Sequence, residues 1–299
     1  MDKKIVLISG ATRSGSTVME MVLTDQLPSI GIGEVKCSWQ RGFKRNELCS
    51  CGSPGKECSF WQPVLTELLQ RTGKTVEEIE ALRFSVERNR YFVMHRLLKI
   101  PSSRYAARRQ EYAEILRTLY GLIWEQSGRN LIIDGSKDPA HVDLVTELFP
   151  DKTIVLHLIR DPRGFVFSYL TPKRRTEVTW KEEFMDKRGP FKSALLWMAL
   201  NVFTESQRGR TDYRQIIYER DLVSVEQLKS TVDDLFAAAE DESEGLLHSI
   251  SGNPVRIGRS KDLKLSIDER WRTGMKPGVR AMVTALCSPL MRRYGYKLS

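Results

Sequence analysis

The chain opens with a strand, a glycine-bounded loop and a helix, and that order narrows the folds open to it. Residues 5–9 (IVLIS) are a short apolar, β-branched run. Gly10-Ala-Thr-Arg-Ser-Gly15-Ser16-Thr17 follows, and a helical pattern then runs from Val18 to about Leu27. A loop held in this way turns successive backbone amides toward one anion, with the positive end of the helix behind them. Such a unit needs a parallel sheet to seat it, and the later pattern supplies one. Residues 131–133 (LII), 153–159 (TIVLHLI) and 213–218 (YRQIIY) read as strands. The second is almost unbroken in apolar side chains, as a strand covered on both faces requires. Helical patterns lie between them at 140–149, 163–170 and 191–207. Ser224-Val-Glu-Gln227 caps a helix running to about Ala239, and a last helix runs from about Gly278 to Arg293. Strands alternating with helices define an α/β fold with a central, mainly parallel sheet flanked by helices.

The stretch between the first helix and residue 131 interrupts this order. Residues 28–63 hold no period, and six Gly, Pro and Cys residues crowd 49–58. Thr75-Val-Glu-Glu78 is a capping box for a helix to about Ile100, stopped by Pro101, and a second helix spans about Arg104 to Gln126. The reading is one domain over 1–299, with a helical and loop-rich insertion at about 28–127.

Charge and composition limit the function. Lys and Arg number 47 against 38 Asp and Glu, a net charge of +9, and 41% of residues are apolar. The chain can bury a core, and its excess charge suggests an anionic partner. No apolar run approaches the roughly 20 residues that cross a bilayer. Met1-Asp2-Lys3-Lys4-Ile5 leads into a strand and has no small-residue cleavage site, so a cytoplasmic protein without membrane insertion is expected.

The first loop has the spacing of a nucleotide-phosphate loop, Gly, four residues, Gly, Lys, Ser/Thr, but Ser16 stands where an NTPase has its lysine. The cation is Arg13, inside the loop. Arg-Ser-Gly-Ser-Thr after an N-terminal strand resembles the 5′-phosphosulfate-binding loop of sulfotransferases that use 3′-phosphoadenosine 5′-phosphosulfate (PAPS). That family has a P-loop-NTPase-like core without the lysine. The arginine form is similar to the bacterial, carbohydrate and tyrosylprotein branches. A second signature fits: Ile159-Arg160-Asp161-Pro162-Arg163, with Ser168 eight residues after the first Arg. The resemblance implies that Arg160 and Ser168 hold the 3′-phosphate. An Arg at the carboxyl end of a parallel strand sits where ligands bind in such sheets, and its guanidinium can take two phosphate oxygens. Tyr218-Glu219-Arg-Asp221-Leu222 is similar to the family's Tyr-Glu-x-Leu segment near the adenine, with one residue inserted. His248-Ser-Ile-Ser-Gly252-Asn253-Pro254-Val-Arg256, with Trp271 beyond, resembles its Gly-Asn-Pro loop. Arg256 would add a cation there, while Lys261 and Lys264 read as solvated charges. The likeness covers 5–36, 131–172, 213–222 and 248–272; no motif covers 64–127. It implies transfer of a sulfonate from PAPS to a hydroxyl or amine of a small-molecule acceptor, with no metal and no nucleic acid.

Sulfuryl transfer, like phosphoryl transfer, passes a charged group in line between two oxygens. The enzyme must position that group, neutralise its charge and take up a proton. Arg13 and the amides of Ser14, Gly15, Ser16 and Thr17 would hold the 5′ side. Lys137, in Ser136-Lys137-Asp138-Pro139, matches a family lysine near the sulfonate. Glu34 matches a Gly-Glu after the first helix and is the leading base, although the related enzymes use a second Glu where Val35 stands. His141 is its rival, and His157, mid-strand, reads as a core residue.

Cys37, Cys49, Cys51 and Cys58 fall within 22 residues, beside Trp39, Phe60 and Trp61. No CxxC pair is present, which suits a zinc site poorly. Thiols walling the acceptor pocket rank first, one disulfide second and zinc third. Cys287 reads as core. Residues 83–109 carry eight Lys/Arg and one acid, Glu87. A solvated face is the plain reading and a guide for an anionic ligand the sharper one. Tyr91, Phe92, Leu97 and Leu98 are expected to pack inward. Two rivals stand: a P-loop kinase or NTPase, and a non-catalytic anion- or nucleic-acid-binding protein.

Overall fold

The sheet has six parallel strands, in the order β5-β4-β1-β3-β2-β6. They are β1 (Lys4–Gly10), β2 (Ser29–Gly33), β3 (Leu131–Lys137), β4 (Thr153–Ile159), β5 (Asp212–Ile217) and β6 (Leu246–Ile250). The structure is a computed structural model that describes residues 2–171, 174–176, 178–237, 244–257 and 265–298. Ala239, Lys261 and Lys264 therefore lie outside the described residues. The helices are α1 (Ser16–Gln26), α2 (Trp61–Thr72), α3 (Val76–Val86), α4 (Ser103–Ser127), α5 (Pro139–Leu148), α6 (Pro162–Leu170), α7 (Pro190–Glu205) and α8 (Pro277–Arg293), with shorter turns between them. None among the described residues is long and apolar enough to cross a membrane.

Alternation along the strands sends side chains to two cores. Ile5, Leu7, Ile30, Ile32 and Ile132 pack with Trp39, Phe43, Trp61 and α4. Val6, Ile8, Leu131, Ile133 and Leu156 pack with Met19, Val22 and Leu23 of α1 on the opposite face. Each fully buried side chain of this size contributes about 1.5–3 kcal/mol. A third cluster joins α6, α7 and α8 around Phe165, Trp197 and Cys287.

The expected mainly parallel α/β fold is present, with differences in detail. Residues 29–33, assigned by sequence to the insertion, form β2 inside the sheet, with Ile30 opposite both Ile132 and Leu246. Its sequence, SIGIG, hides the strand behind glycines. Gly33 has φ 75°, and a Cβ there would collide with the backbone of Ile250. Close approach of β6 thus requires the residue that weakens the strand signal. β6 itself was missed. The helix expected over 75–100 stops at Val86, because the Glu87 side chain turns inward. Phe92 is buried as expected, but Leu97 and Leu98 are exposed. The helix after Ser224 is split into Val225–Thr231 and Asp233–Ala237.

Candidate active site

All six strands run the same way, so their carboxyl ends share one edge, and one group of interest follows or closes each. Arg13 follows β1, Glu34 β2, Arg160 β4, Tyr218 β5 and Ser251–Asn253 β6, while Lys137 closes β3. This is where an open parallel sheet binds ligands.

The first loop reverses through left-handed residues, Arg13 at φ 63° and Gly15 at φ 94°, before α1 starts at Ser16. Gly15 is needed there twice over. A Cβ would lie 2.7 Å from Cε2 of Tyr218, whose ring covers the loop. Ser14 is fully buried, and its Oγ has no hydrogen-bond partner among the described residues. Thr17 Oγ1 accepts the backbone N–H of Asn253 at 3.0 Å, seating the 251–253 turn on the start of α1. The Arg13 guanidinium donates to the carbonyls of Ser168 and Asp186, the latter at 2.8 Å, and lies 4.2 Å from the centre of the Tyr169 ring. Burial lowers its pKa.

Arg160 ties the second motif to the first. Its Nη1 donates to the Arg13 carbonyl at 2.8 Å, its Nη2 to the Asp268 carbonyl at 3.2 Å, and its Cζ sits 5.0 Å over Tyr218. Its Nε is buried without a hydrogen-bond partner among the described residues. Asp161 caps α6 by accepting the Arg163 N–H at 2.8 Å, with Pro162 in the first turn. The Ser168 hydroxyl donates to the Phe165 carbonyl of its own helix at 2.6 Å.

Glu34 and Lys137 form an ion pair through Oε1 and Nζ. Lys137 adopts φ 62° and also donates to the Gly135 carbonyl at 3.1 Å. The other Glu34 oxygen accepts the Ser251 hydroxyl at 3.2 Å. Burial alone would raise the Glu34 pKa, but Lys137 and Arg41 outweigh it and hold the carboxylate at about 2.

His141, the rival base of the sequence reading, is enclosed in the interior. It is fully buried, with Nδ1 2.5 Å from Glu87 Oε1 and Nε2 3.0 Å from Asp134 Oδ2. Tyr120 donates its hydroxyl to the same Asp134 oxygen. Burial disfavours the imidazolium, yet the two carboxylates prevail and push its pKa up to about 10. Enclosed between two carboxylates, the ring has no exposed nitrogen to offer an acceptor, which favours Glu34 as the base. Arg256 is enclosed as well. Its guanidinium is fully buried and donates to the carbonyls of Ser249 and Leu48, at 3.2 and 2.8 Å, so it braces the loop from behind. His157 is the expected core residue, held by Tyr213 and Asn201 at 2.6 and 2.8 Å. The basic stretch is partly neutralised from within: Arg83 pairs with Glu80, and Arg96 and Arg109 with Asp143 and Glu147.

Sequence reasoning passed over Ser251 and Glu20. Glu20 lies on a face of α1 otherwise rich in Met, Val and Leu, and that lone acid was the available signal. It accepts the Gly33 N–H at 2.6 Å and the Ser249 hydroxyl at 3.0 Å, bracing the ends of β2 and β6. Burial pushes its pKa up to about 7, against 4.5 for a free side chain. The folded state therefore holds this proton more tightly than the unfolded chain does. The stability it gives is whole below pH 4.5 and is lost as pH rises through about 7. Denaturant midpoints across that window should fall by an amount worth about 3 kcal/mol. Glu20→Gln should remove that fall, and an unchanged slope would show that Glu20 is not its source.

A model of the sulfotransferase family matches residues 6–222, well over half of the chain. The chain belongs to the sulfotransferase family. Among solved structures, the sulfotransferase domain from the curacin biosynthetic pathway is similar over 100% of this chain and 99% of its own, at 17% identity and a TM-score of 0.51. That is a likeness of fold. A sulfotransferase from Mycobacterium avium aligns with 99% of this chain and 78% of its own, at 11% identity and a TM-score of 0.46. No curated protein matches the chain.

Proposed function

We propose that this chain transfers a sulfonate from PAPS to a hydroxyl or amine of a small molecule and releases adenosine 3′,5′-bisphosphate. The observation that carries the donor reading is a pair of buried polar atoms without partners, Ser14 Oγ in the first loop and Arg160 Nε beside it. Both can donate, and a buried donor left unpaired costs about 1–3 kcal/mol. A phosphorylated ligand would satisfy them. On this reading the amides of Ser14–Thr17 and the Arg13 side chain hold the 5′ side. Arg160 and Ser168 hold the 3′-phosphate, Ser168 by turning its hydroxyl away from Phe165. Tyr218 lies against the adenine, and Gly252 and Asn253 close over the nucleotide.

Lys137 neutralises charge on the oxygens of the moving sulfonate. Glu34, released from Lys137 as that lysine turns to the sulfonate, takes the acceptor's proton. The acceptor oxygen or nitrogen bonds to sulfur as the bond from sulfur to the bridging phosphate oxygen breaks, and the electron pair leaves on the bisphosphate. The scheme uses no metal. We extend it to a cytoplasmic enzyme whose residues 1–299 form one domain. Ser16 in place of the lysine argues against an NTPase, and the internal pairing of Arg83, Arg96 and Arg109 argues against a nucleic-acid surface.

Thermal shift tests the donor. Adenosine 3′,5′-bisphosphate at a hundredfold excess over its Kd should add about 2.7 kcal/mol of stability, a rise of several degrees in Tm. AMP and ATP should add less. Stabilisation by ATP alone would overturn the proposal.

A further inference from the structure

Three of the cysteines meet a histidine about 190 residues away in sequence. Cys58 Sγ lies 3.6 Å from both Cys49 Sγ and Cys51 Sγ and 3.2 Å from His248 Nδ1, and Cys49 Sγ is 4.0 Å from the same nitrogen. All four ligand atoms lie within 4.8 Å of one another. A tetrahedral zinc ion with bonds of about 2.3 Å to sulfur and 2.0–2.1 Å to nitrogen sets its ligands about 3.8 Å apart for two sulfurs and about 3.6 Å for sulfur and nitrogen. We propose that Cys49, Cys51, Cys58 and His248 bind one structural Zn2+ through three thiolates and Nδ1.

A disulfide explains less. It would use two of the three thiols and needs sulfurs about 2.05 Å apart. The surroundings are those of a metal knuckle. Gly52, at φ 90°, turns the chain sharply after Cys51, and its N–H donates to the Cys49 carbonyl at 3.0 Å. The His248 ring is stacked on Phe60, centres 5.0 Å apart at 18°, and its carbonyl accepts Trp61 Nε1 at 2.6 Å. Ligands oriented in this way bind metal more tightly. Three sulfurs and one imidazole select zinc over magnesium or calcium. Four protein ligands close the coordination sphere, which makes the site structural. Cys37 stands apart, beside Glu34. Sequence spacing hid the site because its fourth ligand is far along the chain.

The ion would staple the 49–58 loop to β6. β6 leads directly to Ser251 on Glu34 and to Asn253 on Thr17. The metal thus supports the candidate site without touching it.

The test is metal analysis of the full chain, expressed with zinc and purified without chelator. About one zinc per chain is expected. A mercurial that blocks thiols should release it, and Co2+ added to the stripped, reduced protein should give a thiolate-to-cobalt charge-transfer band and the visible bands of tetrahedral cobalt. Cys58→Ser and His248→Ala should lose zinc, while Cys37→Ser should keep it. Should either ligand variant fail to fold, release and cobalt binding in the unaltered protein decide. Protein without zinc that also gives no cobalt bands would overturn the proposal, as would zinc retained after both ligand substitutions.

Discussion

His141→Ala should destabilise the fold by about 3–5 kcal/mol, because it removes the ring that bridges two buried carboxylates. Glu87 and Asp134 would be left facing a cavity, each without the ring that helps to hold its pKa down against the pull of burial. Urea midpoints at an unchanged m-value measure this. The unaltered protein should also show a matching alkaline loss. His141 has a folded pKa of about 10 against 6.5 for the free side chain, so the folded state keeps a proton that the unfolded chain gives up. Its contribution is whole below pH 6.5 and disappears as pH rises through about 10. The alanine variant should lack that component. A variant of ordinary stability with greatly slowed sulfonate transfer would instead return His141 to the chemistry.

Arg160→Ala should weaken binding of adenosine 3′,5′-bisphosphate by about 2–4 kcal/mol, roughly 30- to 1,000-fold, while AMP binding changes far less. The ratio matters more than either affinity. Arg160 also donates to the Arg13 carbonyl, so loss of its side chain can loosen the loop. A loosened loop would cost both nucleotides alike; loss of a phosphate contact costs only the one with the 3′ group. Arg160→Lys keeps the charge and loses the fork, and should recover part of the ratio. Titration calorimetry with both nucleotides gives the two numbers, and an unchanged ratio would remove Arg160 from this role.

Local signals carried much of the fold. The strand, loop and helix at 5–27, the helix read over 163–170 and the buried strand at 153–159 all stand where short-range pattern places them. β2 was illegible because Gly31 and Gly33 lower its strand signal while the packing demands them. The break after Val86 was illegible because it depends on a partner, His141, in another element. The candidate site divides the same way. Arg13, Lys137 and Arg160 could be found from motifs, and the pairing of Glu34 with Lys137 follows from β2 lying beside β3. Glu20 and Ser251 draw their meaning from neighbours that only the closed sheet supplies. The burial of His141 and Arg256 was illegible because residue type and position do not reveal it.

The strand order also bears on how the chain reaches this state. β1 pairs with β3 and β4, so Ile5 lies opposite Ile132 and Thr153, and Ile30 of β2 lies opposite Leu246 of β6. Among the described strands, β2 with β3 and β4 with β5 pair as immediate successors, and the other three pairings join strands farther apart in sequence. Contacts so distant in sequence are slow to form, because long loops must close before they are rewarded. Emerging from the ribosome, the chain would expose β2 as an open edge until β6 had been synthesised. The Glu34 carboxylate would then have Lys137 but not Ser251. Competence, on this geometry, comes late and all at once, and a chain cut short before residue 250 would carry most of the sheet and an unfinished site.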